Sequence, residues 1–176
     1  MSLNEDRFKV IRRIRPTEEA DLSRVMEMYA IARAYMRQTG NASQWGTDYP
    51  PESLIREEIA AGHSFVCEND AGKPVGTFCF IIGEDPTYHE IFGGEWLDEG
   101  EEYGTVHRIA SSGEEKGVGE ACIRWCLARH PNIRVDTHRD NRAMQHIIEK
   151  LGFSYRGIIH VEDGSERLAY QKSTKG

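Results

Sequence analysis

The chain has 176 residues, 39% hydrophobic and 29% charged, a length for one domain that buries a core of its own. Its 29 acidic and 22 basic side chains leave a net charge of −7 and a pI near 5.5. That balance excludes the basic stripe of a nucleic-acid surface and suits an ordinary globular protein or one with a cationic substrate.

No apolar run approaches the roughly 20 residues that span a bilayer, and the N-terminus lacks the apolar core of a signal peptide. Cys67, Cys79, Cys122 and Cys126 sit in apolar segments without a Cys-x-x-Cys pair, which reads as reduced core thiols of a cytoplasmic protein. Met1-Ser2-Leu3 reads as an expression remnant, and residues 1–9 and 173–176 are expected to be tails of a single domain over 1–176.

Residues 10–15 are expected to form a strand, followed by a helix capped by Thr17, with Ala20, Val25, Met28, Tyr29 and Ala32 at about helical spacing. Gly40-Asn41 stops that helix, and Tyr49-Pro50-Pro51-Glu52-Ser53 starts a second that ends at Gly62. Residues 63–68 and 75–82 are β-rich runs around a hairpin turn at 69–73. Residues 84–102 form a long acidic and aromatic excursion, the type of loop that tends to carry function.

A central strand is expected over 103–110, a helix over 118–129 stopped by Pro131, a strand over 132–137, a helix over 142–151, and closing strands over 153–159 and 167–171. Val118, Ala121, Cys122 and Trp125 place one apolar stripe on the first of these helices, and Ala143, Met144, Ile147, Ile148 and Leu151 one on the second. The order β, α, α, β, β, β, α, β, α, β, β implies an α/β protein with one mixed sheet flanked by helices, an order that suits several α/β folds.

Gly117-Val118-Gly119 opens a helix just after the central strand. The first turn of a helix has unpaired N–H groups and the positive end of the dipole, a seat for phosphate, and glycines let the backbone come close. A P-loop is excluded because Lys116 precedes the glycines and no Gly-Lys-Ser/Thr follows; a dinucleotide fingerprint is excluded because the third glycine is missing.

Glu114-Glu115-Lys116-Gly117-Val118-Gly119 resembles the Arg/Gln-x-x-Gly-x-Gly/Ala signature of the GNAT superfamily of acyl-CoA-dependent N-acetyltransferases, with Glu114 where the signature has Arg or Gln. Asp140-Asn141, followed by a helix that closes on Lys150-Leu151-Gly152-Phe153, is similar to a second segment of that superfamily. The likeness spans roughly residues 11–172.

The resemblance implies a single GNAT-like domain in which the two central strands splay apart, with acetyl-CoA as cosubstrate and no metal. The pantetheine arm is then expected on backbone groups of Ile109, Ala110 and Ser111, and the pyrophosphate on the N–H groups of Lys116, Gly117, Val118, Gly119 and Glu120. Glu114 and Glu115 have to point away. Asn141 is expected near the cofactor arm, with a plain helix cap as the other reading.

The implied reaction is N-acetylation of a primary amine of a small molecule or peptide by direct attack in a ternary complex, since Cys122 and Cys126 lack a neighbouring histidine in sequence. Strand alternation places Thr105, His107 and Ile109 on one face, so His107 is a candidate base, or else a hydrogen-bonded core histidine. Many members carry a tyrosine acid where this chain has Ile148; Tyr155, His146 or water are substitutes.

Trp45 and Tyr49 are expected to form the acceptor wall, or only to pin a loop, and Asp136 to hold an ammonium group. His138 with Asp136 or Asp140 lacks a third metal ligand. A non-catalytic CoA-binding regulatory or sensor module is the second reading, and an unrelated α/β protein the third. Nucleic-acid and membrane partners are not expected, and a homodimer is compatible with the chain without being written in it.

Overall fold

A computed structural model describes residues 13–174 of the protein. Its strands are β1 (Arg13–Pro16), β2 (Ser64–Glu68), β3 (Pro74–Ile82), β4 (Gly104–Ser111), β5 (Asn132–Thr137), β6 (Ser154–His160) and β7 (Glu166–Ser173). Its helices are α1 (Leu22–Gln38), α2 (Glu52–Ala60), α3 (Val118–Leu127) and α4 (Arg142–Lys150), with 3-10 turns at Glu19–Asp21 and Pro86–Tyr88. The expected strand over 10–15 is described only from Arg13, the tail over 1–9 lies outside the described residues, and Ser173 belongs to β7.

The strands form one sheet in the order β1-β2-β3-β4-β5-β7-β6, antiparallel throughout except between β4 and β5. Side chains alternate across it. Val106, Ile133, Val135 and Tyr170 point to the face covered by α3 and α4, where Cys122, Ile123, Ile148 and Leu151 meet them. Val66 and Ala110 point to the other face, against Val25, Met28 and Tyr29 of α1 and Ile55 of α2. The 84–102 excursion covers the rest of that second face through Tyr88, with Tyr103, Ile159 and Ala169 beneath it. Each fully buried Ile or Phe in these layers contributes about 2 kcal/mol relative to exposure.

Three local expectations are corrected. Thr17 does not cap a helix: its hydroxyl is buried 2.8 Å from Ser64 Oγ, and the Asp21 carboxylate accepts from the Glu18 N–H at 2.8 Å instead. The buried stripe of α3 is Val118, Cys122, Ile123 and Cys126, rotated from the expected one because α3 also faces β5. Ala143 is exposed, while Met144 and Ile147 are only partly buried beside α3. The four cysteines are free and buried, with Cys67 and Cys122 Sγ 3.4 Å apart.

The alternation expected along β4 also fails. Thr77 faces Ala110 and Cys79 faces His107, so Arg108 and Ile109 together oppose Phe78, a bulge in which Arg108 takes φ 50°. The extra residue flips the register. Ile109 therefore lies on the α3/α4 side with Val106, its Cγ2 near Gly119, whereas His107 and Ala110 share the opposite face.

Candidate active site

β4 and β5 pair only at Gly104–Ile133 and Thr105–Arg134, and beyond those two positions they part. The bulge at Arg108 sits on the diverging stretch, where a bend and added twist are its ordinary effect. The opening is a cleft lined from Gln44 and Trp45 on one side of the sheet to Ile123 and Met144 on the other. This is the splay expected from the sequence. Beyond Thr105, β4 is bonded to β3 alone, so its other edge offers unpaired backbone groups along the stretch that holds Ile109, Ala110 and Ser111.

At the end of β4 the chain turns into α3. Gly117 takes φ 76°, left-handed backbone that a side chain resists, and it caps the helix without a side-chain bond. The first helical bond runs from the Ala121 N–H to Gly117 O at 3.0 Å, so the N–H groups of Val118, Gly119 and Glu120 point out of the helix start. Gly119 serves close approach: a Cβ there would lie 3.3 Å from Ile147 Cδ1 of α4.

The carboxylates near this turn are neutralised by other elements. Glu114 accepts from Lys73 Nζ at 2.8 Å and Arg24 Nη2 at 2.5 Å, contacts that hold its carboxyl down at about 2. Glu115 accepts from Asn69 at 3.3 Å. Glu114 is thus tied to the hairpin turn and α1, and Glu115 to the hairpin turn. Glu120 pairs with Lys150 at 3.0 Å and Arg124 at 2.9 Å, and Lys116 is exposed.

On the other face of the sheet, His107 Nε2 lies 2.9 Å from Asp85 Oδ2. Burial opposes charge on the imidazole, but the Asp85 hydrogen bond and the charges of Asp136 and Asp85 outweigh it and raise its pKa above 6.5. Asp85 is desolvated too, yet the bonds from His107 and Thr87 hold it down at about 2. Next to this pair the Tyr88 hydroxyl donates to Asp136 Oδ2 at 2.6 Å, with the Tyr88 and His107 rings 6.4 Å apart. Burial and the Asp136 charge push the Tyr88 phenol well above 10. Asp136 lines the cleft.

The stretch from Asn41 to Pro50 is held by ring contacts and hydrogen bonds. Trp45 lines the cleft and meets Tyr29 edge-on at 5.7 Å. Tyr49 is 40% exposed, and its hydroxyl accepts from Arg108 Nη1 at 3.0 Å, while Arg108 also pairs with Glu58 of α2. Gln44 Oε1 accepts from Asn41 at 2.7 Å and from Asn141 at 3.1 Å, and the Gln44 carbonyl accepts from Arg167 at 2.9 Å. Asn141 Oδ1 accepts from the Met144 N–H at 3.1 Å, so Asn141 caps α4 as well as bordering the cleft.

Tyr155 is not brought to this site. It lies on edge strand β6, packed against Tyr170 at 5.7 Å on the α3/α4 face, with β5 and β7 between it and β4. Ile148 is buried beside the cleft. His138 Nδ1 accepts from the Asp140 N–H at 3.0 Å, which places its proton on Nε2, toward Ser43 Oγ at 3.4 Å. Among the described residues no group of three His, Cys, Asp or Glu side chains could hold a metal. Burial pushes the Cys79 thiol up to about 12 and Cys122 well above its ordinary value, so neither is a thiolate nucleophile.

Five residues of the site are absent from the sequence reading: Asp85, Tyr88, Gln44, Arg108 and Glu58. The first two lie in the 84–102 excursion, whose length and aromatic content were the only signal. Gln44 stands in the stretch that holds Trp45, and Arg108 follows His107 on β4, where simple alternation turns it away from the His107 face to which the bulge returns it. Glu58 carried no signal.

A mixed sheet opened between its two central strands, with an anion seat at the helix start beside the opening, defines an acyltransferase-type α/β protein. The chain belongs to the acetyltransferase (GNAT) family, whose model matches residues 25–153. It is similar to a GNAT-family acetyltransferase of Streptococcus agalactiae, at 32% identity and TM-score 0.85 over 93% of this chain and 96% of that one. A GNAT-family acetyltransferase of Listeria monocytogenes shares the fold at 19% identity and TM-score 0.67, over 92% and 94% of the two chains. The phosphinothricin acetyltransferase of Sinorhizobium meliloti, solved with acetyl-CoA, does so at 15% identity and TM-score 0.62, over 92% and 87%. No curated protein matches the chain. Among the described residues no helix is long and apolar enough to cross a membrane.

Proposed function

We propose that the protein moves the acetyl group of acetyl-CoA to a primary amine of a small molecule or peptide, by direct attack in a ternary complex. The observation that carries this reading is the His107–Asp85 pair, whose charged neighbour Asp136 lines the cleft that opens where β4 and β5 part. Acetyl-CoA fits the residues present. The free N–H groups at Val118, Gly119 and Glu120 suit the pyrophosphate, with Lys116 and Gly117 next to them, and the unpaired edge of β4 at Ile109, Ala110 and Ser111 suits the pantetheine amides. The acetyl-CoA complex of the Sinorhizobium enzyme supports the same cosubstrate.

When bound, acetyl-CoA supplies an activated acyl group on a thiol leaving group. Asp136, fixed by Tyr88, attracts the ammonium of the acceptor, and Gln44, Trp45 and Arg108, the last held by the Tyr49 hydroxyl, wall its body. An ammonium has no lone pair, so a proton must leave first. His107 accepts that proton, directly or through one water, and Asp85 stabilises the imidazolium. The amine lone pair then attacks the thioester carbonyl carbon, the C–N bond forms, the C–S bond breaks, and the second proton that the nitrogen sheds passes through water to the departing thiolate. Tyr155 has no part in this, and Asn141 serves the cofactor side through a side chain that also caps α4.

Incubation of the protein with acetyl-CoA and a panel of primary amines, read as thiol release, tests the reading. Release that depends on one class of amine supports it. A CoA-induced thermal shift without release across the whole panel would instead support a sensor module.

A further inference from the structure

We propose that Arg134 is a positioning residue for acetyl transfer: its guanidinium, held between the Trp96 and Tyr103 rings, sets both the Asp85–His107 and the Tyr88–Asp136 pairs. The inference rests on the reading of His107 as the base. Arg134 belongs to β5 and points to the face covered by the excursion, with its guanidinium carbon 4.2 Å from the Trp96 ring centre and 4.0 Å from that of Tyr103.

Each ring passes the constraint on. The Tyr103 hydroxyl accepts from the Asp85 N–H at 2.7 Å, and the Trp96 indole N–H donates to the Tyr88 carbonyl at 2.9 Å. One cation therefore spaces the two rings that hold the backbones of Asp85 and Tyr88, whose side chains meet His107 and Asp136.

Packing alone does not account for an arginine at this position. Its side chain is 6% exposed, its Nη2 donates to the carbonyl of Asp98 at 3.2 Å and to its carboxylate at 3.3 Å, and its Nε has no partner. Burial pulls its pKa down, against the aromatic and carboxylate neighbours that favour the cation. A buried charge with so thin a set of partners is often less stable than a well-packed apolar side chain. A flat cation between two rings does what an apolar side chain does not: it attracts both faces and fixes their separation. Asp98 is itself anchored by Gln171 at 2.9 Å and Asn132 at 3.1 Å, so the clamp has a rigid base.

The test follows the imidazole of His107 by NMR titration, a readout that does not need turnover. The titratable groups facing it are Asp85 and Tyr88 of the excursion, Asp136 of β5 and Cys79 of β3. Arg134→Lys keeps the charge and loses the flat plate. Tyr103→Phe removes only the oxygen that accepts from Asp85. Both are expected to lower the His107 pKa by about half a unit to one unit, because Asp85 is less well held. Trp96→Phe is expected to leave that titration in place and to raise KM for the amine about five-fold, through a loosened Tyr88–Asp136 pair.

An unchanged His107 titration in Tyr103→Phe overturns the proposal, and this variant decides the matter even if Arg134→Lys does not fold. His107→Gln is measured alongside: full turnover in that variant sinks the assignment of the base, while the titrations still report on the clamp.

Discussion

His107 Nε2 stands 2.9 Å from Asp85 Oδ2 across the gap between the central strand and the excursion, and with His107 as the proposed base this contact sets the expected pH dependence of activity. The base works unprotonated. Since its pKa is raised above 6.5 by Asp85 and Asp136, kcat/KM should rise with pH through a midpoint above 6.5. Asp85→Asn removes the charge that raises it, so the acid limb should move to lower pH while kcat falls. His107→Gln should lower kcat by about 10²- to 10⁴-fold and remove that limb. Initial rates across pH for the three proteins check this.

The same pair couples stability to pH. His107 has a raised pKa in the folded protein, so its contribution is complete below 6.5 and is lost as pH rises through the folded value. Asp85 has a depressed one, so its contribution is present above 3.8 and is lost as pH falls toward about 2. The pair should therefore add most stability between those limits. Thermal unfolding of wild type and Asp85→Asn should differ most near pH 5 and converge at both ends; a constant difference across pH would argue against the pair.

Asn141 has two jobs that substitutions can separate. Its Oδ1 caps α4 through the Met144 N–H, and its Nδ2 donates to Gln44. Asn141→Ala should lose about 1 kcal/mol of stability with the cap. Asn141→Asp keeps the cap acceptor and loses the donor, so it should hold its Tm while raising KM for acetyl-CoA or the amine. Unfolding curves and steady-state kinetics together distinguish the two roles.

The helix start makes a separate prediction for cofactor binding. Gly117→Ala forces a side chain onto left-handed backbone, at a cost of about 1–2 kcal/mol. Gly119→Val drives a side chain into Ile147, which lies 3.3 Å from even a Cβ, and should push α3 away from α4. A ligand at about 100 times its Kd stabilises a protein by about 2.7 kcal/mol. Acetyl-CoA should raise the Tm of wild type accordingly and that of Gly119→Val much less.

Glycine spacing, helical stripes and β-rich runs made most of the fold legible in sequence: β5 and the start of α3 fall where they were expected, and most other boundaries within a residue or two. These patterns are local. The bulge at Arg108 is not, because it depends on which β3 residue pairs with which β4 residue, and simple alternation therefore placed Ile109 on the wrong side. Asp85 and Tyr88 were illegible for a related reason. They meet β4 and β5 through long-range contacts that lay the excursion over the sheet, among them the Phe92–Ile158 bridge, the Leu97 N–H to Gln171 and the Trp96 ring on Arg134, a set with no periodicity. Tyr155 was near Asn141 in sequence and far from His107 in space, since β6 joins the sheet at the edge beyond β7.

The central claim is that the acetyl group passes straight from acetyl-CoA to an amine. Rapid mixing of the protein with acetyl-labelled acetyl-CoA and the best amine of the panel, quenched and resolved by mass spectrometry, tests it most directly. The account predicts label on the amine nitrogen, one thiol released per amide formed, and none on the protein at any time. Label on a protein side chain that then passes to the amine, or bound acetyl-CoA left intact with every amine, would contradict it.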